Sequence, residues 1–169
     1  EKKTLTIGLR DIIDKNVDAK YYYNGKPLFE KLKDKVVKRN TAYQWRRIYV
    51  RENKSGVCPT LTANMGTGGH NVPIINDGKG IRKLTPRECL KLQGFPKSYK
   101  LPADIADSRL YKQIGNSITV PVVEAIAKEM FNAVTRKSSG NKHGRLNLGY
   151  HDEAILSKTD INSGVESLA

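Results

Sequence analysis

Cysteine and histidine are side chains that often act as nucleophiles, bases or metal ligands in proteins. The chain has 169 residues with two cysteines, Cys58 and Cys89, and three histidines. Cys58 precedes a proline and has no histidine nearby in sequence to take its proton. Cys89 falls in the first turns of a predicted helix, where a thiol acts as a small apolar side chain. With no CxxC or paired-histidine spacing either, the sequence predicts neither a cysteine nucleophile nor a zinc site.

The glycine-rich stretch MGTGGHN, residues 65–71, is a candidate phosphate-binding loop, because glycine-rich loops can bind phosphate. It lacks the Gly-Lys-Ser/Thr ending of a nucleotide-binding loop and does not lead into a predicted helix. Its glycines would still let the backbone approach a large ligand closely. The stretch therefore indicates a contact loop.

The charge of the chain is concentrated in one region. The formal net charge is +13, and all of it lies in residues 1–100, because acidic and basic residues balance in residues 101–169. This asymmetry favours a part that faces a polyanion, joined to a neutral part. A lysine-rich solubilising surface would give the same excess, so charge alone leaves both interpretations open.

Short strands separated by turn residues are predicted after residue 46. The segments with strand character are residues 48–51, 57–62 and 72–75. Before them, LRDIID and residues 27–37 have helical spacing, with a turn at Asn24-Gly25. The sequence here predicts a small antiparallel unit beside short helices.

The stretch TPRECLKLQGFP, residues 85–96, specifies one short helix in full. Thr85 suits the N-cap, Pro86 suits the first turn, and Glu88 completes a capping box. Gly94 ends the helix, and the proline after Phe95 prevents its continuation. We expect this helix to position other segments.

A longer amphipathic helix is predicted within residues 111–135. Pro121 marks its first turn, and apolar residues recur at i, i+3, i+4 and i+7. These residues are Val120, Val123, Ile126, Ala127, Met130 and Val134. So long an apolar stripe needs a partner surface. After Arg136 the sequence is polar and has no sustained period, which predicts a weakly structured tail.

Two of these blocks resemble motifs IX and X of the DNA (cytosine-5) methyltransferases. They are RKLTPRECLKLQGFP at residues 82–96 and YKQIGNSITVPVVEAI at residues 111–126. The preceding RRIYVRENKSGVCPTLTANMGTGGHNVPII resembles the target recognition region that these enzymes carry just before motif IX. The resemblance covers about residues 45–135, and two blocks in this order and spacing are far more specific than one short motif.

The resemblance implies roles for particular residues. The motif IX helix and its leading arginine, Arg82, would organise the recognition region. We therefore include Arg82 among the candidate DNA-binding residues. Gly115, Asn116 and Ser117 would border the pocket for S-adenosylmethionine. The helix that follows them would pack into the catalytic domain, which explains its apolar stripe.

The catalytic blocks of the family are not found in this sequence. The Phe-x-Gly-x-Gly cofactor loop, the Pro-Cys-Gln nucleophile, the Glu-Asn-Val acid and the Gln-Arg-x-Arg block are all expected upstream. Methylation of carbon 5 of cytosine needs a thiolate, an acid and a bound methyl donor. We therefore predict no catalytic residue in this chain and expect it to be inactive alone.

Two kinds of DNA contact are expected. Polar side chains of the glycine-rich region would form hydrogen bonds in the major groove, while basic side chains of the strands would contact phosphates. The candidates for base contacts are Asn64, Thr67, His70 and Asn71, and those for phosphate contacts are Arg46, Arg47, Arg51 and Lys54. The two asparagines are also typical turn-forming residues, and that interpretation stays open.

The predicted fold class is α+β. It is a small mixed domain with short antiparallel strands and a few helices, plus a C-terminal helix that belongs to the α/β catalytic domain of a partner part. The predicted regions are 1–45, a basic helical and turn segment of the recognition domain; 46–110, the recognition region and motif IX helix; 111–136, motif X and its helix; and 137–169, the polar tail.

The first functional hypothesis is the DNA-recognition and cofactor-pocket-completing part of a cytosine-5 methyltransferase of a restriction-modification system. The chain begins at Glu1, so it would be either a separate subunit or a piece of a longer chain. Its partners would be S-adenosylmethionine, double-stranded DNA and a catalytic half. The alternative is a non-catalytic DNA-binding module derived from such an enzyme. A cytoplasmic, nucleoid-associated location is expected, because no membrane-spanning run or disulfide framework is seen.

Overall fold

The structure is a computed structural model that describes residues 7–53, 56–67 and 71–140, with side chains up to residue 136. The helices are α1 (Leu9–Ile12), α2 (Phe29–Leu32), α3 (Pro86–Leu92), α4 (Asp107–Asn116) and α5 (Val120–Gly140). The strands are β1 (Tyr43–Arg46), β2 (Tyr49–Glu52), β3 (Ile74–Asn76) and β4 (Ile81–Lys83). Two 3₁₀ turns lie at Ala19–Tyr21 and Ala63–Thr67. The fold class is α+β, as the sequence predicted. One compact unit extends to Glu129, and a second begins at Met130.

The four strands form one antiparallel sheet in the order β2-β1-β3-β4. Successive side chains of a strand point to opposite faces, so Ile74 and Ile75 face opposite sides of the sheet. Each of these two residues belongs to a separate buried apolar cluster. The first cluster includes Leu84, Cys89, Leu90, Tyr111 and Ile114, and the second includes Leu32, Val36 and Tyr43. The sheet is therefore covered on both faces.

Helix α3 has the ends that its sequence predicts. The Thr85 hydroxyl accepts the Glu88 N–H at 3.1 Å, and the Glu88 carboxylate accepts the Thr85 N–H at 2.8 Å. Leu84 and Cys89 are fully buried on either side of this capping box. Gly94 has a φ of +82°, where the chain turns out of the helix. The predicted positioning helix is confirmed in its start and its stop.

Three predictions of local structure were wrong, and some elements were missed. Residues 57–62 form no strand, because Pro59 has no N–H for a ladder, and the strands that sequence reasoning missed are β1 and β4. The helix expected over residues 27–37 is reduced to α2. Sequence reasoning missed helix α4, whereas α5 begins at Val120, in agreement with the first turn predicted at Pro121. Helix α5 runs to Gly140, where a tail was expected from residue 137. Residues 141–169 of the predicted tail lie outside the described residues.

Candidate functional site

Four of the sequence-predicted DNA contacts lie in one open cleft of about 510 Å³, called here the polar cleft. Arg46 and Arg51 come from the β1–β2 hairpin, Asn64 comes from the second 3₁₀ turn, and Asn71 follows that turn. The other lining residues are Gln44, Asn53, Val57, Cys58, Pro59, Thr60 and Thr62. The fold thus brings together side chains that are up to 27 positions apart in sequence.

The alternation of the hairpin explains which side chains face the polar cleft. Gln44 pairs with Arg51 and Arg46 pairs with Tyr49, so these residues share one face of the two strands. Trp45 and Val50, which also pair, are on the other face and pack against the second apolar cluster. The core therefore orients the arginines toward the cleft.

The polar cleft has a positive field. Among the described residues, its lining includes Arg46 and Arg51 but no aspartate or glutamate. Glu52, the nearest acidic residue of the hairpin in sequence, forms an ion pair of 2.6 Å with Lys38 and does not line the cleft. Two guanidinium groups among amides and hydroxyls suit an anion with hydrogen-bonding groups beside it.

Two further predicted DNA contacts, Arg47 and Thr67, are not in the lining of the polar cleft. Arg47 is exposed at the tip of the β1–β2 hairpin. Thr67 is exposed, and its hydroxyl donates to the Asn64 carbonyl at 2.8 Å, so the main chain of Asn64 takes part in a turn while its side chain lines the cleft. Lys54 and His70 lie outside the described residues.

Arg82 must be removed from the group of DNA contacts, because its side chain is fully buried. Both terminal nitrogens donate to Glu88 at 2.8 Å, and Nε donates to Asp77 at 2.7 Å. Burial works to lower the pKa of Arg82, but the hydrogen bonds with Glu88 and Asp77 outweigh it and raise the pKa. This guanidinium ties β4 to α3 and to the β3–β4 turn, which fits the organising role that the resemblance implied.

A second cleft of about 420 Å³ lies at the junction of α3, α4 and α5. Ser117, one of the predicted cofactor-pocket residues, is in its lining. The remaining lining residues are Cys58, Pro59, Thr60, Leu61, Leu92, Gln93, Ile118 and Thr119. Asn116 is exposed at the end of α4 and is outside this lining.

Gly115 has a packing role in the structure. A Cβ at this position would overlap the Thr62 carbonyl, so only glycine lets α4 approach the segment before the second 3₁₀ turn this closely. Gly66 on that turn makes the reciprocal approach to the Ser108 carbonyl of α4. The two glycines therefore hold α4 close to the segment that contains Thr62 and Asn64, two lining residues of the polar cleft.

Gln93 is a residue that sequence reasoning missed. It is 6% exposed, and its side-chain N–H donates to the Ile114 carbonyl at 2.8 Å. Its side-chain oxygen accepts the Ser117 hydroxyl, and its main-chain carbonyl accepts the Val120 N–H at 2.8 Å. Gln93 thus joins the end of α3 to the end of α4 and the start of α5. Its position directly after α3, at the C-cap, was the available signal.

The two clefts share a wall, residues 58–60. Burial raises the pKa of the Cys58 thiol in this wall to about 12, and burial also raises the pKa of Cys89. Both thiols are therefore protonated near neutral pH and are not activated as nucleophiles. The wall places any ligand of the second cleft directly behind the polar cleft.

The chain's relationship to known proteins is clear at the sequence level. The model of the C-5 cytosine-specific DNA methylase family matches residues 2–132. The chain belongs to this family. The match covers nearly all of the first unit, including α3, both clefts and the first 45 residues, which the motif resemblance did not reach.

Relatives of the methylase family support this assignment. The chain is 52% identical over 134 residues to the type II methyltransferase M.Bsp6I of a Bacillus species, which covers 77% of the chain and 42% of that relative. It is 30% identical over 154 residues to the type II methyltransferase M.DsaV of Dactylococcopsis salina, covering 91% of the chain and 42% of the relative. The chain thus spans less than half the length of these relatives.

Solved structures agree on the fold. A mutant of Spodoptera frugiperda DNMT2 superposes with a TM-score of 0.55 at 22% identity, over 76% of the chain and 43% of that protein. The Dnmt2 methyltransferase of S. pombe gives a TM-score of 0.56 at 18% identity, over 79% of the chain and 44% of that protein. In the part of the chain that the structure describes, no helix is long and apolar enough to cross a membrane.

Proposed function

We propose that this chain is the DNA-recognition and cofactor-pocket-completing part of a DNA (cytosine-5) methyltransferase of a restriction-modification system. Such an enzyme transfers a methyl group from S-adenosylmethionine to carbon 5 of a flipped cytosine in double-stranded DNA. The observation that supports this most is the polar cleft, whose described lining residues include no carboxylate, backed by a second cleft that contains Ser117. This is the arrangement needed to hold DNA on one side and a methyl donor on the other.

The polar cleft contributes binding to the DNA that surrounds the flipped cytosine. Flipping a cytosine out of a duplex costs a few kcal/mol of stacking and pairing. Arg46 and Arg51 offset this cost by neutralising phosphates, and the side chains of Asn64 and Asn71, in the lining of the same cleft, contact base edges. The net charge of +13 adds a long-range attraction to DNA.

The second cleft fits one side of a pocket for S-adenosylmethionine. Its hydroxyl and amide groups, from Thr60, Gln93 and Thr119, lie beside the apolar Leu61 and Ile118, a mixture suited to a nucleoside. Among the described residues, no carboxylate lines this cleft to meet the donor's amino group or ribose. The donor supplies the methyl group when bound, and the chain's residues shape and close one edge of its site.

A catalytic half is the partner that this proposal requires. The Pro-Cys-Gln block is not in the sequence, and the pKa of Cys58 is too high for it to replace that nucleophile. Every residue from Pro121 to Met130 on α5 is exposed, including the apolar Val122, Val123 and Ile126. An apolar helix face of this kind packs on another protein surface, and we assign it to the catalytic half.

Salt-dependent DNA binding tests the recognition role. Arg46→Ala and Arg51→Ala should each weaken binding of the whole chain to duplex DNA and reduce the slope of log affinity against log salt by about 1, the effect of one lost phosphate contact. Arg109→Ala is the matched control, because Arg109 is exposed on α4 and lines neither cleft. Equal effects for all three variants would show that binding follows net charge and that the cleft is not the contact surface.

A further inference from the structure

The tip of the β1–β2 hairpin has an unusual backbone. Arg46 and Tyr49 form its last pair, which leaves Arg47 and Ile48 as a two-residue connection. Arg47 has a φ of +62°, and it is the only described non-glycine residue with a positive φ. The Ile48 N–H donates to the Arg46 carbonyl at 2.7 Å, so the turn is tight. Hairpins ordinarily have glycine, asparagine or aspartate where φ is positive.

The side chains at this tip are as unusual as its backbone. Ile48 is 88% exposed, the largest exposure among the described large apolar residues. A single exposed apolar side chain is common and by itself indicates nothing. Here it sits at the end of a strained turn, next to the exposed guanidinium groups of Arg46 and Arg47. Strained backbone of this kind concentrates where a side chain must be held in position for function.

The charge beside Ile48 favours DNA over an apolar protein surface as its partner. Arg46 and Arg51 on the same hairpin line the polar cleft, which has no acidic residue in its lining. A two-stranded β-ribbon fits the width of the major groove of DNA. When this ribbon lies in the groove with the arginines beside phosphates, its tip is directed at base edges. The apolar group available there is the C5 methyl of thymine.

We propose that Ile48 is a specificity-determining residue that contacts the C5 methyl group of a thymine in the major groove, with Arg47 anchoring the tip by a phosphate contact. This inference rests on the proposed function, because it requires that the chain binds duplex DNA. It adds a named residue and a named chemical group on the DNA to that function.

Selection from randomised duplex DNA tests the inference. The wild-type chain should enrich an A·T base pair at a fixed position, and Ile48→Ala should lose that preference while keeping the others and the same salt dependence. Val37→Ala is the matched control, since Val37 is an exposed apolar residue, at 58%, outside the polar cleft. It should select the wild-type sequence.

Replacing the selected thymine by uracil removes only the C5 methyl group. Wild-type affinity should fall about fourfold, as expected for one methyl group withdrawn from an apolar contact. The affinity of Ile48→Ala should not change with this replacement. Equal losses for both proteins would overturn the inference, because the methyl group would then be sensed elsewhere.

Other outcomes separate this inference from the proposed function. If wild-type chain binds no duplex DNA at low salt, the proposed function fails and the inference fails with it. If wild type binds and selects a sequence that Ile48→Ala selects equally well, only the inference fails. If Ile48→Ala instead loses assembly with a catalytic half, the tip is a protein contact and the inference is wrong. Thermal unfolding of Ile48→Ala should match wild type, because the side chain is exposed.

Discussion

At the scale of residues, the buried charges of Arg82, Glu88 and Asp77 hold the recognition region to α3. Glu88 accepts from the Arg82 guanidinium, from the Thr85 N–H and from the Asp14 N–H at 2.8 Å each. Asp77 accepts from Arg82 and from the Tyr22 hydroxyl at 2.7 Å each. Burial works to raise the pKa of Asp77, but the hydrogen bonds from Tyr22 and Arg82 lower it overall. One cation thus satisfies two carboxylates from different elements.

Arg82→Met should lower the free energy of unfolding by about 3–5 kcal/mol, because it leaves carboxylates buried without their cation. Arg87→Met is the control: Arg87 is half-buried and its guanidinium donates to the Tyr99 carbonyl, so about 1 kcal/mol or less is expected. Chemical denaturation measures both. A loss for Arg82→Met no larger than for Arg87→Met would contradict the organising role.

At residue scale, sequence reasoning predicted the contacts that depend on local sequence spacing. It did not predict the contacts that depend on burial by residues elsewhere in the fold. The capping pair of Thr85 and Glu88 is local, and the structure has it as predicted. Arg82 was grouped with DNA contacts because the resemblance to motif IX placed it in the recognition region. Its burial depends on Asp77, which local spacing does not link to it. Gln93 was missed for the same reason, since its partners are in α4 and α5.

At the scale of elements, α4 is fixed by close backbone approach. A Cβ on Gly115 would overlap the Thr62 carbonyl. Leu110, Tyr111 and Ile114 are buried on the same helix. Their spacing was the sequence signal for α4, but Gly115 and Asn116, which are weak helix formers, obscured it. Helix α4 was therefore missed by sequence reasoning alone.

Gly115→Ala should destabilise the chain by about 1–3 kcal/mol despite alanine's higher helix propensity, because the added methyl group forces α4 away from the Thr62 segment. Gly8→Ala is the control, since Gly8 has a φ of −97° and a Cβ there would be 3.6 Å from its nearest neighbour. Thermal unfolding compares the two. Similar stability for both variants would mean that the close approach has no energetic role.

The exposed apolar residues of α5 lead to a separate prediction about assembly. Val123 and Ile126 are 42% and 55% exposed, so Val123→Asp and Ile126→Asp should leave the stability of the chain and its DNA affinity unchanged. They should abolish co-purification with a catalytic half, because a buried unpaired carboxylate in the interface is too costly. Val37→Asp, at a site with 58% exposure, should keep assembly. Loss of DNA affinity in the α5 variants would contradict this separation of roles.

At the scale of the whole molecule, the net charge and the family can be predicted from sequence. The positions and lining residues of the clefts cannot. Motifs IX and X lie on contiguous residues, and the family match over residues 2–132 contains both. The polar cleft depends on the β1–β2 register and on where the second 3₁₀ turn is placed. Because β1 was not predicted, the register that orients Gln44, Arg46 and Arg51 could not be predicted either.

The central claim is that this chain recognises DNA and completes a cofactor site whose reactive groups are on another part. The most direct measurement is transfer of a labelled methyl group from S-adenosylmethionine to cytosine in duplex DNA. The chain, a catalytic half with the family's Pro-Cys-Gln block, and their mixture are each assayed. We predict that only the mixture transfers the methyl group. The mixture should still do so when Cys58 is replaced by alanine. Methyl transfer by the chain alone, or its loss in a folded Cys58→Ala mixture, would contradict the account.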